Sequence, residues 1–350
     1  MLEKTIAQIK PLNEPAAAAA RARQDTLTKP PGSLGRLEAL TIQIAGITGQ
    51  AIPVIKDKVI ITMAGDHGVV ADGVSAFPQE VTPQMVLNFL HGGAAINSLA
   101  RHAGARIVVV DMGVAVDMPA HPQLVVKKVA HGTLSMAHGP AMTREQAIQS
   151  VQAGIDVVEA EITRGLDIVG TGDMGIGNTS PSTAIACVLT GESPERLAGR
   201  GTGLDDAGLR HKISVIAQSL AVNQPNPQDG LDVLAKVGGF EIGGLAGVML
   251  GAAAHQKPVM GDGFISTAAA MIAVTIAPAV RPYLIAAHRS QEYGHAAMLA
   301  WLGLDPLLDM HMRLGEGTGA AIGITLAEAA CKLLAEMATF AEAGVSDKPE

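Results

Sequence analysis

The sequence predicts an α/β protein, a parallel sheet layered with helices and flanked by helical segments at both ends of the chain. Two observations carry that prediction. Short apolar runs that read as buried strands alternate with longer stretches of helical character, the pattern of successive βαβ units. Small turns of the form Gly-acid-(x)-Gly stand where several of those apolar runs stop, at Gly65-Asp66-His67-Gly68, Gly172-Asp173-Met174-Gly175, Gly261-Asp262-Gly263 and Gly315-Glu316-Gly317.

Taken in order, Ala16 to Ala20 followed by Arg21 and Arg23 is helical in character. Lys29-Pro30-Pro31-Gly32-Ser33-Leu34-Gly35 interrupts it, and Leu37 to Ile47 resumes the helical pattern. Strands are expected at Val59 to Met63, Arg106 to Asp111, Asp167 to Val169, Pro258 to Met260 and Tyr283 to Ala286. Helices are expected between them near 82–102, 143–163, 180–190, 206–222 and 240–255. Gly319 to Ala341 reads as a long helix rich in Ala, Leu and Glu with no strand after it. The two helical ends are expected to pack together as a small subdomain, because chain termini often lie close. No linker, low-complexity block or solenoid-length repeat divides the chain.

Composition narrows the class. Of 350 residues, 48% are hydrophobic and 17% charged, which excludes a disordered chain. A formal charge of −8 and only 2% aromatic residues argue against nucleic acid, whose phosphates need clustered cations and whose bases stack on aromatics. Two cysteines, Cys187 and Cys331, make neither a disulfide framework nor a four-thiolate zinc site, so a reducing cytoplasm is expected. Met1 to Pro15 lacks the apolar core of a signal peptide. Gly263 to Val280 is uncharged and just long enough to span a bilayer, yet it carries Ser266, Thr267, Thr275 and Pro278. It reads as a buried helix, and no membrane partner is expected.

Ligands in open α/β sheets bind in the crevice outside the carboxyl ends of the strands, so the four Gly-acid turns are candidate chemistry. Singly, each could be an ordinary turn dipeptide. Gly175-Ile-Gly-Asn-Thr179 and Gly199-Arg-Gly-Thr-Gly203 each lead into a helix, where free N–H groups and the positive dipole end can hold a phosphate. Neither is a Walker loop or a dinucleotide fingerprint, and a zinc helix motif and a serine-hydrolase elbow are both missing. No metal or cofactor is expected.

Taken together, several longer stretches resemble one family. They are Lys29-Pro-Pro-Gly-Ser-Leu-Gly-Arg-Leu-Glu38, Ala64-Gly-Asp-His-Gly-Val69, Pro78-Gln-Glu-Val-Thr82 and Gly172-Asp-Met-Gly-Ile-Gly-Asn-Thr179, then Asn223-Gln-Pro-Asn-Pro227 and Lys236-Val-Gly-Gly-Phe240. Ala277-Pro-Ala-Val-Arg-Pro-Tyr283 and Met312-Arg-Leu-Gly-Glu-Gly-Thr-Gly-Ala-Ala321 complete the set. The chain resembles the nicotinate-nucleotide–dimethylbenzimidazole phosphoribosyltransferases over nearly its whole length. That resemblance implies a Rossmann-like parallel-sheet domain over 51–304, and a small helical domain from 1–50 and 305–350. It also implies a homodimer whose neighbouring small domain helps to close each site.

The implied reaction moves the phosphoribosyl group of nicotinate mononucleotide to 5,6-dimethylbenzimidazole with inversion at C1′. By motif match, Glu316 is the base, and Asp173, where some relatives carry Glu, has a supporting electrostatic or orienting role. Gly175, Gly177, Asn178, Thr179, Gly201, Thr202 and Gly203 are expected to hold the nucleotide, with Lys212 as the phosphate charge. Phe77, Glu80, Met85, Leu314 and Gly315 are expected around the azole. Two alternatives stand beside this one: a metal-dependent hydrolase using Asp66, His67, Asp173 and Asp262, and a non-catalytic nucleotide- or azole-binding protein.

Overall fold

The computed structural model describes residues 2–346. Its core is one six-stranded sheet in which every neighbouring pair is parallel. The strands are β1 (Lys58–Gly65), β2 (Arg106–Gly113), β3 (Leu124–Val126), β4 (Ile168–Met174), β5 (Val259–Gly261) and β6 (Leu284–Ala286). Their spatial order is β3-β2-β1-β4-β5-β6, so the order reverses between β1 and β4, and the crevice there is where a doubly wound sheet receives its ligand.

β1 shows why the run is apolar on both sides. Val59, Ile61 and Met63 enter the core on one face, and Ile60 and Ala64 enter a second core on the other, as the two-residue period of a strand requires. The first face is covered by Arg144–Thr163, Phe240–Ala254 and Phe264–Ile276, the second by Val81–Leu90, Ala95–Ala103 and Thr318–Glu336. Arg144–Thr163 and Phe240–Ala254 cross closely enough that a methyl group at Gly154 would stand 1.8 Å from the Gly244 carbonyl oxygen. Part of the high glycine content is therefore helix packing.

The two ends of the chain meet. Arg23 Nε donates to the Leu334 carbonyl at 2.7 Å, Leu27 bridges Thr339, and Ala20, Leu27, Ala45 and Leu334 form a small apolar cluster. Ala320, Ile324 and Ala327 of Thr318–Glu336 also pack among Ile60, Ile168 and Met260 beneath the sheet. By length and composition that helix could cross a membrane, and just over half of it is buried here.

Several elements differ from expectation. The helix near 82–102 is two helices, parted at Gly92, whose positive φ of 76° ends the first. The stretch Gly263 to Val280 is helical only over Phe264–Ile276, a buried helix, before a 3-10 turn at Pro278–Tyr283. The tail helix stops at Glu336 and a short helix, Phe340–Ala343, follows. β3 and the helices Gly230–Val237 and His295–Leu302 were not expected. β4 runs on to Met174, so Asp173 lies on a strand and not in the turn after it.

Candidate active site

The four turn acids all arrive at the carboxyl edge of the sheet. Asp66 follows β1, Asp173 is the penultimate residue of β4, and Asp262 follows β5. Glu316 is carried there by the N-terminus of Thr318–Glu336. All four are buried, and burial raises the pKa of each above the ordinary carboxylate range.

Glu316 is held in a backbone shape that its sequence explains. Gly315, Glu316 and Gly317 have φ values of 84°, 64° and 99°, three successive left-handed residues. Glycines supply two of these at no steric cost, and only Glu316 bears the strain. The turn is tied from three sides. Thr62 Oγ1 donates to the Glu316 carbonyl at 2.9 Å, Gly317 N donates to Asp262 Oδ2 at 3.0 Å, and Gly172 packs against the Glu316 backbone. Asp262 Oδ1 also accepts from Gly319 N and Ala320 N, so this carboxylate caps the helix that carries Glu316. Glu316 Oε2 accepts from Ile96 N at 3.1 Å, in the first turn of Ala95–Ala103. That bond favours the ionised form, but burial outweighs it and leaves the carboxyl poised above its usual range.

Asp173 accepts from Asn178 Nδ2 at 2.9 Å. Its pKa stands well above 3.8 because burial is compounded by the charges of Asp262, Glu241 and Glu316. Asp262 is pushed up to about 7, first by burial and also by Glu316, against three backbone N–H bonds that favour its charge. The edge is thus crowded with carboxyls that cannot all ionise freely, which tunes acids toward neutral pH.

A cavity of about 280 Å³ opens between β4 and the loops after β5 and β6. From the expected set it gathers Phe77, Asp173, Asn178, Thr179, Gly201, Thr202, Leu314 and Gly315. Asn178 precedes the first turn of Thr179–Thr190, so the cavity faces a helix N-terminus. Lys212 is fully buried and lies behind the wall. Its Nζ donates to Thr179 Oγ1 at 2.7 Å and to the Gly199 carbonyl at 3.2 Å, and so braces both phosphate-loop candidates. Burial lowers its pKa to about 8, and the charge of Glu292 partly offsets that. Arg313 Nη1 donates to the Gly201 carbonyl at 3.0 Å, tying the Glu316 turn to the second loop.

The remaining expected residues lie off the cavity. Glu316 is behind Gly315, with its carboxylate turned toward Ala95–Ala103. Gly175 and Gly177 form the back of the 175–179 turn, and Gly203 is exposed beyond it. Glu80 is exposed at the start of Val81–Leu90, and Met85 is half-buried in that helix against the second core. The sequence did not single out Phe264, Ile265, His288, Ser290, Glu292 or Arg313, which with Gly263 of the Gly261-Asp-Gly263 turn complete the wall. Phe264 and Ile265 open the helix after β5, and His288, Ser290 and Glu292 alternate along the segment after β6. Position just past a strand end was the signal that could have found all of them but Arg313, which stands in the Met312–Ala321 stretch beside Leu314.

The residues of the hydrolase alternative are engaged elsewhere. Asp66 Oδ2 accepts from Ala115 N, His67 pairs with Glu241, Asp173 with Asn178, and Asp262 with three backbone groups. Among the described residues no group of three or more His, Cys, Asp or Glu is arranged to hold a metal ion.

A Rossmann-ordered sheet with a cavity at its carboxyl edge, beside β4, is matched by a phosphoribosyltransferase family model over residues 9–345. The class is a phosphoribosyltransferase, an enzyme. Among similar proteins, the nicotinate-nucleotide–dimethylbenzimidazole phosphoribosyltransferase of Roseiflexus sp. (strain RS-1) is 63% identical over 350 residues, 100% of this chain and 99% of the relative. That of Desulforudis audaxviator (strain MP104C) is 60% identical over 346 residues, 99% of this chain and 98% of the relative. A crystal structure of the Thermus thermophilus enzyme of that name superposes with a TM-score of 0.91 at 44% identity, covering 96% of this chain and 100% of that one. The chain belongs to the nicotinate-nucleotide–dimethylbenzimidazole phosphoribosyltransferase family.

Proposed function

We propose that this protein transfers the 5-phosphoribosyl group of nicotinate mononucleotide to 5,6-dimethylbenzimidazole, with Glu316 as the general base. One azole nitrogen attacks C1′ from the face opposite the pyridinium, and the C1′–N bond to nicotinate breaks. The bonding pair leaves with nicotinate and neutralises its ring charge, so the leaving group needs no acid. Glu316 takes the proton from the other azole nitrogen as that ring becomes positive. The products are α-ribazole 5′-phosphate and nicotinate, with inversion at C1′.

The observation that carries this reading is the Glu316 turn. A carboxyl raised by burial suits a base that works near neutrality, and its side chain must turn from Ile96 N toward the Leu314–Gly315 wall to reach an azole in the cavity. The helix N-terminus at Asn178–Thr179 and the Gly201–Thr202 loop, braced by Lys212, suit the phosphate. Phe77 and Leu314, exposed by 49% and 59% at the mouth, suit a flat apolar azole. The same exposed side chains favour a homodimer in which a neighbouring copy covers the mouth.

The test is incubation of the purified protein with both substrates, followed by separation and mass analysis. Equimolar nicotinate and ribosylated azole supports the transfer. Nucleotide consumed without a ribosylated azole contradicts it and points to hydrolysis, while saturable binding with no nicotinate release points to a binding protein.

A further inference from the structure

His67 and Glu241 join two stretches to which the proposed reaction gives no role, the Gly65-Asp-His-Gly68 turn and the Gly238-Gly-Phe-Glu241 helix entry. Both side chains are buried, and His67 Nε2 lies 2.8 Å from Glu241 Oε1. Burial opposes the imidazolium, but the charge and hydrogen bond of Glu241 and the charge of Asp66 outweigh it, so His67 titrates above its usual range. A buried ion pair is a poor source of stability, because desolvation offsets most of the attraction. Its use lies in what it holds in place.

The pair underlies the turn that leads to the cavity. A methyl group at Gly175 would stand 2.3 Å from the Gly65 carbonyl oxygen and 3.2 Å from His67 Nε2, and one at Gly177 would stand 2.5 Å from Val70 Cγ2 and 4.0 Å from His67 Cβ. On the far side, methyl groups at Gly65 and Gly239 would fall 2.8 and 2.7 Å from Glu241 Oε2, an oxygen with no hydrogen-bond partner. The carboxylate is thus boxed in by backbone, and the imidazole lies against Gly175, sharing the support of this segment with the Gly65 carbonyl and Val70. Asn178 and Thr179, the next two residues, line the cavity.

We propose that His67 and Glu241 are a positioning pair for the nucleotide, fixing the height of the Gly175–Gly177 segment and through it the seat of the ribose phosphate. This rests on the reading of residues 175–179 as the nucleotide turn. The experiment compares wild type with His67→Gln and Glu241→Gln in the full-length enzyme. It uses melting temperature, calorimetric binding of nicotinate mononucleotide, and KM for each substrate separately. The nucleotide KM should rise roughly 10- to 100-fold, the scale of a small misplacement, with the azole KM and kcat little changed. The double variant should be no worse than the poorer single one, because the two residues act as one unit.

A role confined to stability predicts a lower melting temperature with nucleotide binding unchanged, and that result, or equal shifts in both KM values, overturns the proposal. If Glu241→Gln does not fold, His67→Gln alone carries the test. Wild type that binds no nucleotide overturns the functional reading and this proposal with it. Wild type that binds, beside folded variants that bind equally well, overturns this proposal alone.

Discussion

Gly172 of β4 stands directly behind the backbone of Glu316. A methyl group there would lie 2.2 Å from the Glu316 carbonyl oxygen, 2.5 Å from its carbon and 2.7 Å from Gly317 N. All three are main-chain atoms, pinned from the other side by Thr62 and Asp262, so none can swing away as a side-chain end could. In Gly172→Ala the turn must retreat by roughly 1 Å to restore normal contact in a close-packed interior. Overpacking of that kind costs about 1–3 kcal/mol, which a protein of this size survives as a modest fall in Tm. A catalytic group displaced by about 1 Å loses on the order of 100-fold in rate. Steady-state nicotinate release, with calorimetry of the nucleotide, should therefore show kcat about 100-fold lower and nucleotide affinity little changed. Gly170→Ala is the control. It lies two residues back on the same strand face, and its methyl group would meet Ala320 Cβ and Ile324 Cδ1 at 3.1 Å, side-chain atoms away from the turn. It should cost stability and leave kcat intact. A folded Gly172→Ala enzyme with wild-type kcat would refute the placement of the base on this turn.

Other outcomes follow from the same geometry. Lys212→Ala removes the brace shared by Thr179 and Gly199, so the nucleotide KM should rise more than kcat falls, and equal KM values would move the phosphate elsewhere. Glu316 must be ionised to act and its pKa is raised, so activity should fall as pH drops through a midpoint above the usual glutamate value. Asp262 binds its proton more tightly folded, near pH 7, than unfolded, near 3.8. Its contribution to stability is therefore full below 3.8 and is lost as pH rises toward 7, by on the order of 4 kcal/mol at most. The melting temperature of Asp262→Asn relative to wild type should thus climb as pH rises from about 5 to about 7, and parallel curves would contradict the assignment. Dialysis against a chelator should leave turnover unchanged, whereas a loss restored by added metal would favour the hydrolase alternative.

The fold was legible where the physics is local or where one element is buried on both faces. β1 and β2 are such elements, and their continuous apolar runs announced them. β3 is three residues at the sheet edge with only Leu124 buried, too short and too exposed to leave a pattern. The extent of β4 was hidden by Gly172, which reads as the start of a Gly-acid turn, and by Gly170 just before it. They are glycines because Thr318–Glu336 and the Glu316 turn press against that strand. Of the candidate site, Asp173 and parts of the two loops, which line the cavity, and Glu316 behind it were picked out by the recurring Gly-acid turns, the glycine-rich stretches and the family resemblance. The capping of residues 317–320 by Asp262 was not, because it joins positions more than fifty residues apart and has no local signature. His288, Ser290 and Glu292 are ordinary residue types that become a cavity wall only when β6 delivers them there.

Glu316→Gln separates removal of the azole proton by Glu316 from binding of the nucleotide by other groups. The amide keeps the shape of the side chain and an oxygen able to accept from Ile96 N, so the fold and the nucleotide site should persist. Nucleotide affinity should match wild type by calorimetry while kcat falls by ~10²-fold or more, the range for loss of a general base. A Glu316→Gln enzyme that binds the nucleotide and turns over at the wild-type rate would mean that Glu316 is not the base.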